Sequence, residues 1–358
     1  MSDEAPTPPP TPNDPAMPRP PRRPRYRGKN PRHFHEKYKE RDPSADPETF
    51  AKVLASGKTP AGTHRPIMVP EILEALRVQP GETVVDCTLG YGGHARELLA
   101  AVQPGGRLIG LDQDPLELPK TEARLRALDF PPESLVVHRM NFAGLAALLQ
   151  RESPGGAEAI LADFGLSSMQ IDNPARGFTF KVDAPLDMRM NPSRGLSAAA
   201  LLAKTPAAEL ARWLAEHSDE PHAEPLAAAI ARAKPETSAA LAKLVRETLA
   251  GLGKRLKPED IEAAIPRVFQ AIRIAVNEEF SALDAFLRQL PGCLKPGGRV
   301  AVLTFHSGED RRVKHAFRDG ERTGLYSAVN DEVIRASREE QRANPRSAPA
   351  KLRWAIRS

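Results

Sequence analysis

The chain has almost no cysteine: Cys87 and Cys293 are its only two among 358 residues. Their neighbours are apolar and their spacing suits no metal, so they read as small core residues of a reduced, cytoplasmic protein. Long apolar runs are missing as well. None approaches the roughly 18 residues that span a bilayer, and no charged-then-apolar leader opens the sequence, which argues against a membrane partner. No Cys/His set has metal-site spacing, and no nucleophile stands at a recognisable distance from a base. His33 and His35 lie in a segment too open to build a metal site. The dinucleotide pattern G-x-G-x-x-G is also missing, which counts against a nicotinamide oxidoreductase.

What is present is unevenly placed. The net charge is +5, yet residues 19–41 hold ten Lys/Arg against Glu36 and Glu40, and residues 1–60 contain 14 of the 36 prolines. Such a stretch cannot bury enough apolar surface to offset chain entropy, so residues 1–60 are expected to form a disordered tail. Its basic run suits a nucleic-acid arm, since Lys/Arg displace counterions from phosphates; a solvated tail without a partner is the other reading. The remaining length suits one large domain or two folded units.

The most informative stretch is Thr83-Val84-Val85-Asp86-Cys87-Thr88-Leu89-Gly90-Tyr91-Gly92-Gly93-His94. A β-branched strand ends in an acid, breaks into glycines and continues into a helix-competent run, Ala95 to Val102. Glycines let the backbone pass close under a ligand. The spacing, D-x-T-x-G-x-G-G-H, is nearer to a turn that cradles S-adenosylmethionine (AdoMet) than to a dinucleotide turn. The next strand, Arg107 to Asp112, ends in a carboxylate about 20 residues after the glycines, where ribose hydroxyls are held in such folds.

Strand-like segments recur at 135–138, 158–163, 299–306 and 351–357. Helical patterns separate most of them, at 117–128, 143–151 and a long 268–289. This alternation predicts an α/β fold with a mostly parallel sheet covered on both faces. It stops between residues 173 and 267, where helix-period apolar residues such as Leu210, Leu214, Leu241 and Val245 predict an all-helical insertion. The expected organisation is therefore a tail over 1–60, an α/β domain over 61–172 and 268–358, and an insertion over 173–267. Residues 319–349 are expected to be a loop.

Two clusters could carry chemistry. Asp163 ends a strand at the carboxyl edge of the sheet, followed by Gly165, Ser167, Ser168 and Gln170; the bland alternative is a helix N-cap. His306 emerges at another strand end, as a reacting group or a structural hydrogen-bonder. Glu309 and Asp310 suit the N-terminus of the helix that follows, which is expected to run to Phe317. His94 suits either a cofactor contact or a cap.

Several separated segments together resemble one family. They include Asp86-Cys87-Thr88-Leu89-Gly90-Tyr91-Gly92-Gly93-His94, Asp163-Phe164-Gly165-Leu166-Ser167-Ser168-x-Gln170, Pro185-Leu186-Asp187-Met188-Arg189-Met190, Phe269-Gln270-Ala271-x-Arg273-Ile274-x-Val276-Asn277-x-Glu279, Phe305-His306-Ser307-x-Glu309-Asp310-Arg311 and Asn344-Pro345-Arg346-Ser347. The pattern resembles the bacterial RsmH (MraW) methyltransferases from His64 to about Arg357. That resemblance implies a Rossmann-like AdoMet-dependent domain with a helical insertion, acting on N4 of a cytidine in the decoding region of small-subunit rRNA. It also implies AdoMet contacts at Gly92, Gly93, His94, Asp112, Phe142, Asp163 and Gln170, with Asp163 and His306 as candidates for the chemistry. The implied partner is small-subunit rRNA or the ribosomal subunit, with homodimerisation left open. The chain departs from the family pattern at Ser218-Asp219-Glu220, Ile265-Pro266-Arg267 and Gly308, on surfaces expected to meet RNA. An assembly factor that keeps the cofactor fold without catalysis is the rival reading; the intact glycines and Asp163 weigh against it.

Overall fold

A computed structural model of the chain describes residues 66–253 and 256–358. The expected basic tail lies outside them. Seven strands form one sheet in the order β3-β2-β1-β4-β5-β7-β6. They are β1 (Thr83–Asp86), β2 (Arg107–Asp112), β3 (Leu135–Arg139), β4 (Ala157–Asp163), β5 (Leu294–Thr304), β6 (Tyr326–Val329) and β7 (Lys351–Arg357). The first five are parallel, and β7 runs antiparallel between β5 and β6.

Successive side chains of a strand point to opposite faces, so each central strand feeds two cores. Val85, Ile109, Ile160 and Val300 face one side. There they meet Leu148 of helix α4 (Leu145–Glu152), Phe286 of α11 (Glu279–Cys293) and Phe317 of α12 (Ser307–Arg322). Val84, Leu108, Leu161 and Leu303 face the other side, against Ile72 of α1 (Val69–Leu76) and Leu98 of α2 (Gly93–Val102). Burial on both faces explains why these strands are apolar runs rather than alternating ones.

Helix α3 (Leu118–Arg126) follows β2, and the short α5 (Ser168–Asp172) follows β4. The helices α6 (Ala198–Lys204), α7 (Ala207–Ser218), α8 (Ala223–Ala233), α9 (Ser238–Ala250) and α10 (Pro258–Asn277) gather around a third core. It contains Leu202, Leu214, Leu226, Val245 and Val268. Among the described residues no helix is long and apolar enough to cross a membrane.

Three local expectations need correction. The single helix expected over 268–289 is two, because Glu278 adopts a left-handed conformation (φ 51°) that ends α10 and starts α11. Bidentate hydrogen bonds of 2.8 Å from Arg273 to Glu279 span that break. β5 begins at Leu294 rather than 299, its Lys295-Pro296-Gly297-Gly298 run absorbed by an irregularity in the pairing with β4. It stops at Thr304 because His306 already caps α12. The stretch 319–349 is not all loop: α12 continues to Arg322, and β6 and α13 (Arg338–Ala343) follow.

Candidate active site

The strand order reverses between β1 and β4, and an open α/β sheet offers its ligand crevice at the carboxyl ends flanking such a point. Register brings three acids there. Asp86 stands beside Leu161 and Gly110, Asp112 ends β2, and Asp163 ends β4 beside Leu303. A cavity of about 520 Å³ opens over Asp112 and Asp163, with Asp86 buried beneath, and lies in the size range of small-molecule sites. The walls come from the β1–α2 turn, Asp112, Phe142, 163–171, Met190 of the helical region and Arg273, Asn277 and Glu279 at the α10–α11 break.

The turn after β1 is held by side-chain oxygens that accept from backbone N–H groups. Asp86 Oδ1 accepts from the Thr88 N–H at 3.0 Å, and Thr88 Oγ1 accepts from the Asp163 N–H at 2.7 Å, tying β1 to β4. Gly92 adopts φ 85° and lies so close to Thr121 and Leu125 of α3 that a Cβ would crowd them. Gly92 therefore shapes the turn by packing outward, whereas Gly90, Gly93 and His94 line the cavity. Asp112 anchors the same loop, accepting the Gly90 N–H at 2.8 Å and the Asp114 N–H at 2.8 Å.

Asp163 is not an N-cap. Ser167 caps α5, in a reciprocal capping box with Gln170. Gln170 lines the cavity, but its side chain is occupied: Oε1 accepts the Ser167 N–H at 3.1 Å and Nε2 donates to Asp114 Oδ2 at 2.8 Å. Phe142 packs against Phe164 at 4.9 Å between ring centres and gives the cavity an apolar wall.

His306 is not brought to the cavity wall. Its ring caps α12 through the Glu309 N–H at 3.4 Å, lies 3.1 Å from Glu309 Oε1 and packs on Phe280. The cavity lining at this point is Phe305 and Glu309. Sequence reasoning assigned Glu309 only to the helix terminus. The Arg273–Glu279 pair, Asn277 and Arg346 were visible only as family segments, because nothing in their local spacing marks them as cavity residues.

The electrostatics are those of a site short of cations. Burial pushes the Asp163 carboxyl up to about 7, with Glu309 adding to the effect. Burial raises Asp86 to about 6 and also raises Asp112, despite its backbone donors. Burial pulls the His94 imidazole below its ordinary value. The lining contains no lysine, and its two arginines are committed elsewhere, Arg273 to Glu279 and Arg346 to Asp172 at 3.0 Å.

The MraW methylase family model matches residues 61–358. The chain belongs to that family. Among its MraW-type relatives, it is 47% identical over 339 residues to ribosomal RNA small subunit methyltransferase H 1 of Lachnoclostridium phytofermentans, covering 93% of this chain and 92% of the relative. It is 44% identical over 339 residues to ribosomal RNA small subunit methyltransferase H 2 of Alkaliphilus metalliredigens, covering 93% and 97%. A solved SAM-dependent O-methyltransferase of Thermotoga maritima aligns over 87% of this chain and 71% of its own, with TM-score 0.39 and 10% identity. The fold is that of an AdoMet-dependent MraW methylase, and AdoMet is the cofactor. The residues present fit it. Desolvated carboxylates without a lysine or a free arginine suit a ligand that carries a sulfonium and an ammonium, and Phe142 offers an apolar face for a purine.

Proposed function

We propose that this protein N4-methylates a cytidine in the decoding region of small-subunit (16S) rRNA. The observation that carries this reading is a desolvated carboxyl, Asp163, on the floor of a cavity whose roof comes from the helical region. The curated relatives are named as methyltransferases of small-subunit ribosomal RNA, and that substrate is extended here to this chain.

Bound in the cavity, AdoMet supplies a methyl group activated on a positively charged sulfur. Asp112 takes the ribose hydroxyls. Phe142 would cover the adenine and Gly93 would meet the rest of the cofactor, with Gly92 shaping the turn against α3 and Gln170 bracing the wall after β4. The amine of cytosine is a poor nucleophile because its lone pair is delocalised into the ring. Asp163 accepts a hydrogen bond from that amine, orients it and stabilises its developing positive charge. A base in folded rRNA must leave its stack to reach this depth, and residues 173–267 act as the insertion domain that clamps the RNA against the halves 61–172 and 268–358. The enzyme works in the cytoplasm on an assembled or nearly assembled subunit.

The test is incubation of purified protein and labelled AdoMet with subunits from a strain lacking the gene, followed by nucleoside mass spectrometry. The expected product is N4-methylated cytidine. Label on a ring carbon, on ribose, on protein or on DNA overturns the reading. Free cytidine is expected to be a poor substrate, because much of the binding energy comes from remote contacts.

A further inference from the structure

We propose that His94 and Asp163 share one proton and together form the base that receives the proton lost by the target amine. His94 is then a positioning residue for Asp163 rather than a contact to the cofactor. The inference deepens the reading above and rests on its amine substrate.

The argument begins with the tautomer. His94 Nε2 lies 2.9 Å from the Ile67 carbonyl oxygen. A carbonyl only accepts, so Nε2 carries a proton and Nδ1 of the neutral ring is a bare lone pair. That lone pair lies 3.5 Å from Asp163 Oδ2, and the two side chains are only 9% and 26% exposed. Two bare acceptors facing each other in a poorly solvated site repel. One proton placed on either of them turns the contact into a charge-assisted hydrogen bond.

Burial opposes a charge on the imidazole, whereas burial of Asp163 and the acids around the pair favour keeping the proton within it. Asp86 at the end of β1, Glu97 on α2 and Glu340 on α13 act electrostatically on the imidazole, while Glu309 on α12 and Asp86 act on Asp163. All four are acids, and each has other partners. Asp86 accepts from the Thr88 N–H, Glu97 from Arg96, Glu340 from the Met68 N–H, and Glu309 from the Phe305 N–H and His306. No such side-chain donor engages the Asp163 carboxylate among the described residues, apart from His94. An amine that exchanges one N–H for N–CH₃ releases one proton. Asp163 takes it from the amine, His94 Nδ1 shares it, and Nε2–H stays on Ile67. The proton then passes to solvent from the partly exposed Asp163 carboxyl, and the pair returns to its starting state.

The full chain labelled with ¹⁵N-histidine, without cofactor or RNA, tests the pair separately from the substrate. His94 is assigned by its disappearance in His94→Gln. The expected result is an Nε2–H tautomer whose protonation midpoint moves to lower pH in Asp163→Asn. An Nδ1–H tautomer, or a midpoint that Asp163→Asn leaves in place, overturns the proposal. The base role is read by single-turnover methylation across pH with cofactor saturating. His94→Gln is expected to slow the step about tenfold or more and to change its pH profile while AdoMet affinity stays within about twofold. Equal losses of rate and affinity make His94 a cofactor contact and overturn the role. A shared proton in a protein that methylates no amine overturns the base role through failure of the substrate reading, with the tautomer result intact.

Discussion

Asp163 is a group that the fold holds against its preference, which makes its stability effect calculable in sign. Its carboxyl titrates at about 7 in the native protein, against roughly 3.9 for an ordinary aspartate. Between those values the unfolded chain releases its proton while the native protein keeps it, so Asp163 lowers stability as pH rises through that window. Asp163→Asn is therefore expected to stabilise the cofactor-free protein by about 1–3 kcal/mol at pH 8, a magnitude discounted for partial exposure, and by almost nothing near pH 4. Urea unfolding at both pH values measures this, and equal stability at pH 8 contradicts the desolvation. A cationic ligand reverses the sign by favouring the ionised carboxyl. AdoMet affinity is expected to rise between pH 6 and pH 8 with proton release, visible by calorimetry in buffers of different ionisation enthalpy. Asp112→Ala is expected to weaken AdoMet by about 1–3 kcal/mol, since it removes a charged acceptor, and unchanged affinity excludes the ribose role. Asp112 and Asp163 were legible in the sequence because each ends an apolar strand at the edge where such folds bind ligands. His306 met the same criterion and failed it. A residue two positions past a strand end is also where a cap belongs, and only the packing of α12 on Phe280 shows which role it takes.

At the scale of elements, the sheet was legible because buried parallel strands are short apolar runs with acids or turns behind them. β6 was not: Tyr326–Val329 is four residues at an edge, held by β7 and by Tyr326 packing on Phe317, a contact between residues nine apart that no periodicity announces. The break at Glu278 was equally silent, because an apolar helical pattern continues through it and no glycine or proline marks it. The joint between the sheet and the helical region depends on a buried arginine that no local spacing marks. Arg176 is 5% exposed; it donates to Asp114 Oδ2 at 2.8 Å and to the carbonyls of Arg189 and Met190 at 3.0 and 2.8 Å. Asn277 holds the same strap, accepting the Met190 N–H at 2.7 Å and donating to the Met188 carbonyl at 2.8 Å. Arg176→Met takes the paired charge from a buried carboxylate and the donor from two carbonyls, with an expected loss of about 3–5 kcal/mol in urea unfolding. Arg176→Lys is expected to recover only part of this, because an ammonium cannot serve both sides with a planar fork. Full stability in either variant shows that the strap is held by apolar packing alone.

For the molecule as a whole, charge is segregated. The cavity is acidic, suited to a cationic cofactor, whereas an RNA substrate demands positive charge somewhere along its path. The densest supply is residues 19–41, with ten Lys/Arg against two acids. The family match begins only at residue 61, so the segment is additional to the part of the chain that carries the methylase pattern. Its spacing of arginines among prolines has no feature that selects a base sequence, and the expected contribution is counterion release from phosphates. Deleting residues 1–58 should leave AdoMet affinity and the methylated nucleoside unchanged while weakening RNA binding at low salt. The decisive measurement is the slope of log affinity against log salt. Each phosphate contact made by a lysine or arginine contributes about −0.7 to −0.9 to that slope, so losing even three contacts flattens it by more than two. An identical slope with and without the segment assigns the RNA-facing charge to the folded body instead. A changed product nucleoside gives the segment a part in choosing the target, which sequence-independent attraction cannot supply.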